Sequence, residues 1–455
     1  MTTSEQATHE VEIDNTNRST TPQNDAFGTY ISQHWADRVD ELPAAHPAAG
    51  FAATRRAAVA AQFAGKRLVI AAGAMKQRSN DTFYQYRAHS AFAHLTGWGA
   101  ESEPGAILVI EDDASTLYFR ERAGRDSDEF FANPEIGEFW IGPRPSLAQV
   151  SALLDVPTAH LAEFRAEDGD ITLDDAELAR VTSELRLVKD DYELAEMQAA
   201  VDATAQGFTE VLAALPKASA HPRGERIVEG VFNQRARLDG NTVGYETIAA
   251  SGPHACTLHW IRNDGPVREG DLLLLDAGIE MDSLYTADIT RTVPVSGKFT
   301  EVQRRVYNAV LEAADAARAI VRPGIRFHEV HDAAMAVIER RTREWGILPE
   351  DDGTAYYRRY MVHGTSHHLG MDVHDCAQAR REMYMDGVLE PGMVFTIEPG
   401  LYFQPDDLTV PAEYRGIGVR IEDDIVVTES GCLNLSAGIP RTADAVEAWI
   451  ASAQG

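Results

Sequence analysis

Asp276 and Asp288 are twelve residues apart, with the region Glu280-Met-Asp-Ser-Leu-Tyr285 between them. A regular hairpin turning about Asp282 sets the two acids opposite one another, and directly opposed side chains on an antiparallel pair lie about 4.5–5.5 Å apart at Cβ. Bare carboxylates that close repel, so one takes a proton unless a cation sits between them. Paired catalytic metals stand about 3.5–4 Å apart, a span that one carboxylate bridges with its two oxygens. Alone, the two aspartates read as solvated turn residues. They are joined by Glu398 and Glu422, in the apolar runs Thr396-Ile-Glu-Pro-Gly400 and Gly418-Val-Arg-Ile-Glu-Asp-Asp424, where an acid needs a partner. Alternation along the second run puts Arg420, Glu422 and Asp424 on one face and Ile421 on the other. Asp423 and Asp424 read as supporting acids outside the ligand set. Residues 363–374 hold four of the fifteen histidines among Gly and Ser. Neutral imidazole is a common metal ligand, and small residues let backbone approach closely. One imidazole with four carboxylates is an oxygen-rich set, suited to divalent ions such as Mn²⁺ rather than to thiolate-seeking ones.

Positioning these groups falls to an internal echo. Glu269-Gly-Asp-Leu-Leu-Leu-Leu-Asp-Ala-Gly278 returns 122 residues later as Pro391-Gly-Met-Val-Phe-Thr-Ile-Glu-Pro-Gly400. Each copy predicts a strand ending on an acid, Asp276 or Glu398, followed by a partner strand bearing another. Two such halves facing each other converge four carboxylates on one site. A helix is expected from Asp190, with Glu193 completing a capping box and Leu194, Met197, Val201, Phe208, Leu212 and Leu215 on one face. A second starts at Thr300 with Gln303, carries Val302, Val306, Val310, Ala313, Ala317 and Ile320, and stops at Arg322-Pro-Gly. Upstream, short apolar segments at Arg67-Leu-Val-Ile-Ala, Ala106-Ile-Leu-Val-Ile and Ser115-Thr-Leu-Tyr-Phe alternate with helical stretches. The expected organisation is a flexible polar tail at 1–45, a mixed α/β domain at 46–182 and a catalytic domain at 183–455.

A chain of 455 residues exceeds the usual limit of one hydrophobic core. With 41 basic and 71 acidic side chains its formal charge is −30, which repels phosphate backbones and anionic lipid surfaces, so neither nucleic acid nor membrane is an expected partner. Cys256, Cys376 and Cys432 show no paired spacing and read as buried thiols in a reducing compartment. The N-terminus lacks the basic start and apolar run of a secretory signal, and no apolar stretch is long enough to cross a bilayer. A cytoplasmic location is the expectation.

In the order Asp276, Asp288, His367, Glu398, Glu422, the set resembles the ligand signature of the pita-bread metallopeptidases, which include methionine aminopeptidase, prolidase and aminopeptidase P. The stretches Asp288-Ile-Thr-Arg-Thr, His363-Gly-Thr-Ser-His-His-Leu-Gly-Met-Asp-Val-His-Asp and Tyr414-Arg-Gly-Ile-Gly-Val-Arg-Ile-Glu-Asp-Asp look most like the bacterial aminopeptidase P group. Tyr84-Gln-Tyr-Arg-Ala-His-Ser and Glu138-Phe-Trp-Ile-Gly extend the likeness upstream. The resemblance implies a mixed α/β fold, an N-terminal α/β domain followed by a C-terminal pita-bread domain with pseudo-twofold symmetry. It implies two metal ions per subunit, one held by Asp276, one by His367 and Glu398, with Asp288 and Glu422 bridging both. The implied reaction is hydrolytic release of the first residue from peptides with proline second, by hydroxide activated at the dinuclear metal. His259 and His374 would stabilise the oxyanion, and Glu398 would carry the proton to the leaving nitrogen. His363, Tyr245, Tyr402 and Arg420 match substrate-side positions, and Trp140 could cap the site from a neighbouring subunit of a homodimer or homotetramer. The Asp276 to Asp288 interval is one residue longer than in some relatives, which places a turn length in question. Prolidase and a metal-free pita-bread binding protein are the competing readings; methionine aminopeptidase fits less well because of the additional N-terminal domain.

Overall fold

The computed structural model describes Pro22, residues 24–80 and residues 82–455. It divides into two compact units, one running to Trp98 and from Ser102 to Leu173, the other made of Gly99–Glu101 and Asp174–Gly455. In the first unit, strands Arg67–Ala71, Ile107–Glu111 and Ala114–Phe119 form the antiparallel centre of a five-stranded sheet, within a residue of the apolar segments read from the sequence. Thr158–His160 and Ile171–Thr172 add to its edges in parallel. Leu68, Ile70, Leu108, Ile110, Leu117 and Phe119 form its buried face.

Two expectations about boundaries shift. Within the stretch read as a polar tail, residues 1–21 and 23 lie outside the described residues, but 24–45 are attached. Asn24 caps a helix, Asp25–Ser32, Trp35 packs edge-on against Phe130 at 6.0 Å, and Arg38 Nη1 donates to Glu138 at 2.7 Å. The two anchoring side chains, Trp35 and Arg38, outweigh the segment's polar average. The division also falls after Leu173 rather than at 182. Helix Ala176–Leu185 joins the second unit because Gln378 N donates to Ser183 Oγ at 3.2 Å and Arg186 Nε to Asp375 at 2.8 Å.

The second unit repeats one arrangement, a helix pair followed by antiparallel strands. Helix Asp191–Ser219 begins with the Asp190/Glu193 capping box and packs on Gly224–Asp239, Phe208 meeting Phe232 at 5.8 Å. Helix Glu301–Ile320 begins with the Thr300/Gln303 box and packs on Phe327–Glu344. The expected faces are buried, except that Leu194, Val302 and Ile320 at the helix ends are half-exposed. After each pair a glycine turns the chain into a buried strand, Gly270 at φ +94° before Leu272–Ala277 and Gly392 at φ +89° before Val394–Ile397. Those left-handed values are open to glycine at little cost.

Strand Leu272–Ala277 lies between Ile248–Ser251 and Ile289–Pro294, with Asp276 opposite Thr290. The hairpin therefore turns about Ser283, as the Glu280↔Thr286 bridge also requires, one residue beyond the expected centre at Asp282. Moving the centre by one moves the register by two, so Asp276 and Asp288 are diagonal rather than directly opposed, yet still on one face. In the second half Ile397 pairs with Asp423 and Gly400 with Arg420, the same register on either side of Glu398 and Glu422, which therefore face each other. Cys256 and Cys376 are buried and Cys432 half-buried, all three as free thiols. Among the described residues no helix is long and apolar enough to cross a membrane.

Candidate metal centre

Asp276 projects from the end of its strand, Asp288 from the residue before Ile289–Pro294, and Glu398 and Glu422 from the breaks between the strand pairs of the second half. His367 comes from the segment running beside them, where Thr396 N donates to its carbonyl at 3.0 Å and Thr396 Oγ1 accepts from its N–H at 3.2 Å. Asp288, His367 and Glu422 each offer an atom within 4.8 Å of the other two. His367 Nε2 is 3.2 Å from Asp288 and 3.6 Å from Glu398 Oε1. All five sequence-derived ligand candidates line one cavity of about 580 Å³.

The surroundings fix each carboxylate. The Tyr245 hydroxyl reaches Asp276 Oδ1 at 2.6 Å and Asp288 Oδ1 at 2.5 Å, strapping the diagonal pair together. Arg420 pairs with Asp276 through Nη2, donates from Nε to Thr290 Oγ1 at 3.1 Å and from Nη1 to the Tyr402 hydroxyl at 3.0 Å. Thr290 in turn donates to Glu422 Oε2 at 2.6 Å. Asp424 Oδ2 accepts from the backbone N–H of Asp288 at 3.2 Å, so this acid supports a ligand candidate across the halves. His363 Nε2 lies 2.8 Å from the Tyr402 hydroxyl, and His374 stacks on His367 at 4.0 Å, 11° from parallel.

Three buried carboxylates and the half-buried Glu398 around one permanent cation carry a charge excess that shows in their proton affinity. Burial, with the charges of Asp288 and Asp276, pushes Glu398 up to about 8 against the pull of His367 and Arg420. Burial and the neighbouring acids drive Glu422 far above the carboxylate range and raise Asp276 as well. Burial alone would lower His367, but Asp288 and Glu398 lift it to about 9. Burial beside Arg420 takes His363 down to about 4, and burial lowers His374. Mutually repelling carboxylates and a histidine with such divergent proton affinities in one cleft are a candidate functional cluster, and oxygen donors with one imidazole fit a hard or borderline divalent ion.

Tyr245, His259, His363, His374 and Arg420 line the same cavity, whereas Tyr402 reaches it through His363 and Arg420. Trp140 belongs to the first unit, where its Nε1 donates to Phe131 O at 2.6 Å and the residue is 41% exposed. Sequence reasoning passed over Thr290 and Arg291. Arg291 is fully buried and alternates to the reverse of the strand from Thr290, donating to Asp423 Oδ1 at 2.8 Å and holding the Glu422 carbonyl. The Asp288-Ile-Thr-Arg-Thr run carried the signal, a charged residue between two threonines of a buried strand.

The Metallopeptidase family M24 matches residues 195–429 and the Aminopeptidase P, N-terminal domain residues 52–167. The chain is 49% identical to Xaa-Pro aminopeptidase 1 of Streptomyces coelicolor, over 95% of this chain and 93% of that protein. It is 33% identical to the Xaa-Pro aminopeptidase of Escherichia coli, over 89% and 98%. Among solved structures it is similar to zinc-substituted E. coli aminopeptidase P in complex with product, with a TM-score of 0.76, 31% identity, and 90% and 100% of the two chains covered. The P. aeruginosa aminopeptidase PepP gives the same TM-score at 30% identity, covering 90% of this chain and 99% of that one. With an aminopeptidase P N-terminal domain ahead of a pita-bread domain that carries the clustered acids and His367, the chain belongs to metallopeptidase family M24.

Proposed function

We propose that this protein is a metal-dependent Xaa-Pro aminopeptidase, which hydrolyses the bond between the first residue of a peptide and a proline in second position. The observation that carries the reading is the convergence of Asp276, Asp288, His367, Glu398 and Glu422 on one cavity, in a chain similar to Xaa-Pro aminopeptidases over nearly their full length. Asp276, Asp288 and Glu422 would hold one divalent ion, and Asp288, His367, Glu398 and Glu422 a second. Bound there, a metal pair supplies Lewis acidity and acidifies water at neutral pH, and the oxygen-rich set favours Mn²⁺. His259 and His374 stand in the cavity wall as donors for the oxyanion, and Glu398 Oε2 is the atom to hold the proton bound for the proline nitrogen. Proline's tertiary amide has no N–H and fixes the local backbone, so a dedicated cleft suits it.

Length selection follows from charge. Among the described residues the only lysine or arginine lining the cavity is Arg420, and its guanidinium is committed to Asp276, Thr290 and Tyr402. A dipeptide's carboxylate would find no free guanidinium or ammonium there, which favours peptides that continue beyond proline over the Xaa-Pro dipeptides of a prolidase. We place the protein in the cytoplasm as a homodimer or homotetramer, with Trp140 of one subunit reaching the site of another.

Mass spectrometry of products from Xaa-Pro-Yaa and Xaa-Pro, using Mn²⁺-loaded protein and Glu422→Ala as control, tests the reading. Release of Xaa from the tripeptide, lost in the variant, is the expected result. Cleavage of the dipeptide alone means prolidase, and cleavage of neither means a binding protein.

A further inference from the structure

Outside the acid cluster, Glu225, the second residue of helix Gly224–Asp239, is a fully buried charge. Each of its oxygens takes two bonds. Oε1 accepts from Ser251 N at 2.9 Å and lies 2.7 Å from His254 Nδ1; Oε2 accepts from Trp260 Nε1 at 2.9 Å and Gly265 N at 2.7 Å. A carboxylate has about four acceptor positions, and here all are used. Glu225 also donates its own backbone N–H to Gly265 O at 3.1 Å.

All four donors lie in residues 251–265, two before and two after His259. The same segment is stiffened around them. His254 stacks on Trp260 with centroids 3.9 Å apart, the Arg262 guanidinium lies over the Trp260 ring at 5.4 Å, and Arg226 Nη2 donates to Arg262 O at 3.1 Å. Buried Asn263 ties the segment to Ala249 N at 2.9 Å and Thr247 O at 2.8 Å. A Cβ at Gly265 would come within 2.8 Å of Glu225 Oε2 and 2.5 Å of His254, so the chain closes on the carboxylate too tightly for any side chain there. His259 itself is exposed in the cavity wall, and among the described residues its ring makes no hydrogen bond. Its place is set by the backbone that carries it.

We propose that Glu225 is a positioning residue for the reaction, fixing His259 against the scissile bond by gathering residues 251–265 around one saturated carboxylate. The proposal rests on the aminopeptidase reading for the role of His259, but the holding of the segment stands on contacts alone. In Glu225→Gln one oxygen becomes an amide NH₂ facing two donors, so the segment loosens while the helix and the acid cluster stay in place. A misplacement of about 1 Å in such a group lowers turnover by about 100-fold.

Two measurements on the full-length, metal-loaded protein decide it. Hydrogen exchange should show amides within 251–265 exchanging about tenfold faster in Glu225→Gln, with the strands that carry the acids unchanged. Kinetics on Xaa-Pro-Yaa should show kcat reduced about 100-fold with KM and metal stoichiometry unchanged, and no further loss when Glu225→Gln is added to His259→Ala, because the two act through one group. Should Glu225→Gln fail to fold, Trp260→Phe removes one donor and keeps the ring on His254, and a smaller change of the same kind is expected. Unchanged exchange in 251–265, or a kcat loss that persists in the His259→Ala background, overturns the proposal. Wild-type protein that cleaves no Xaa-Pro-Yaa peptide would sink the aminopeptidase reading instead, and the exchange result would still decide whether Glu225 holds the segment.

Discussion

Asp276 and Asp288 lie diagonally across their strand pair and share the Tyr245 hydroxyl, whereas Glu398 and Glu422 face one another directly, and the hydroxyl on Glu422 is that of Thr290 from the first half. The two halves thus reach one site by different registers. A diagonal pair on neighbouring strands is set farther apart than an opposed pair, and the shorter aspartates need a strap where the longer glutamates reach inward. The closing glycines of the echo differ in the same way. A Cβ at Gly278 would stand 1.7 Å from the Ala287 carbonyl oxygen, and one at Gly400 2.3 Å from the Tyr402 hydroxyl, so backbone seals the first half and a site residue the second. Repetition of sequence carries the strands and their turns; the contacts that finish each half are its own.

The largest effect should come from the acids that tie the halves together. Glu422→Ala and Asp288→Ala should each lower kcat/KM by about 1,000-fold or more and reduce bound metal, measured by kinetics and elemental analysis, as expected when one member of a concerted set is removed. If only one of them does so, the halves contribute unequally.

Arg291 is the buried joint, on a first-half strand but bonded to Asp423 and the Glu422 carbonyl. Arg291→Ala leaves Asp423 with Arg441 as its remaining partner and should cost about 3 kcal/mol in urea unfolding. Gly278→Ala forces backbone apart and should cost about 2–3 kcal/mol, while Gly400→Ala should spare stability more and depress activity through Tyr402. Equal unfolding midpoints for the two glycine variants would remove the distinction between the halves.

Tyr245→Phe tests the strap. Metal affinity should fall about 10–100-fold with little change in melting temperature, in line with losing a partner that orients a ligand. Isothermal titration with Mn²⁺ measures it, and an unchanged isotherm would mean that the diagonal aspartates hold their geometry without the hydroxyl.

Much of this was legible in the chain itself. The echo, the two capping boxes and the apolar strands are local patterns, and Asp276, Asp288, His367, Glu398 and Glu422 stood out because acids and a histidine cluster inside apolar or glycine-rich runs demand an explanation. Arg291 and Glu225 did not stand out, since a lone charge on a strand or near a helix start reads as solvated until its surroundings are known.

What only the tertiary structure decided is register, attachment and convergence. A turn centred on Ser283 rather than Asp282 makes the first pair diagonal, and nothing in the hairpin's sequence chooses between centres one residue apart when both keep the acids on the same face. Anchors such as Trp35 on Phe130, or Glu225 beneath residues 251–265, join positions distant in sequence, so no window of the chain contains both sides of the bond. The sequence determined which groups are candidates for the chemistry because residue type is local; folding decided how they meet because distance is not.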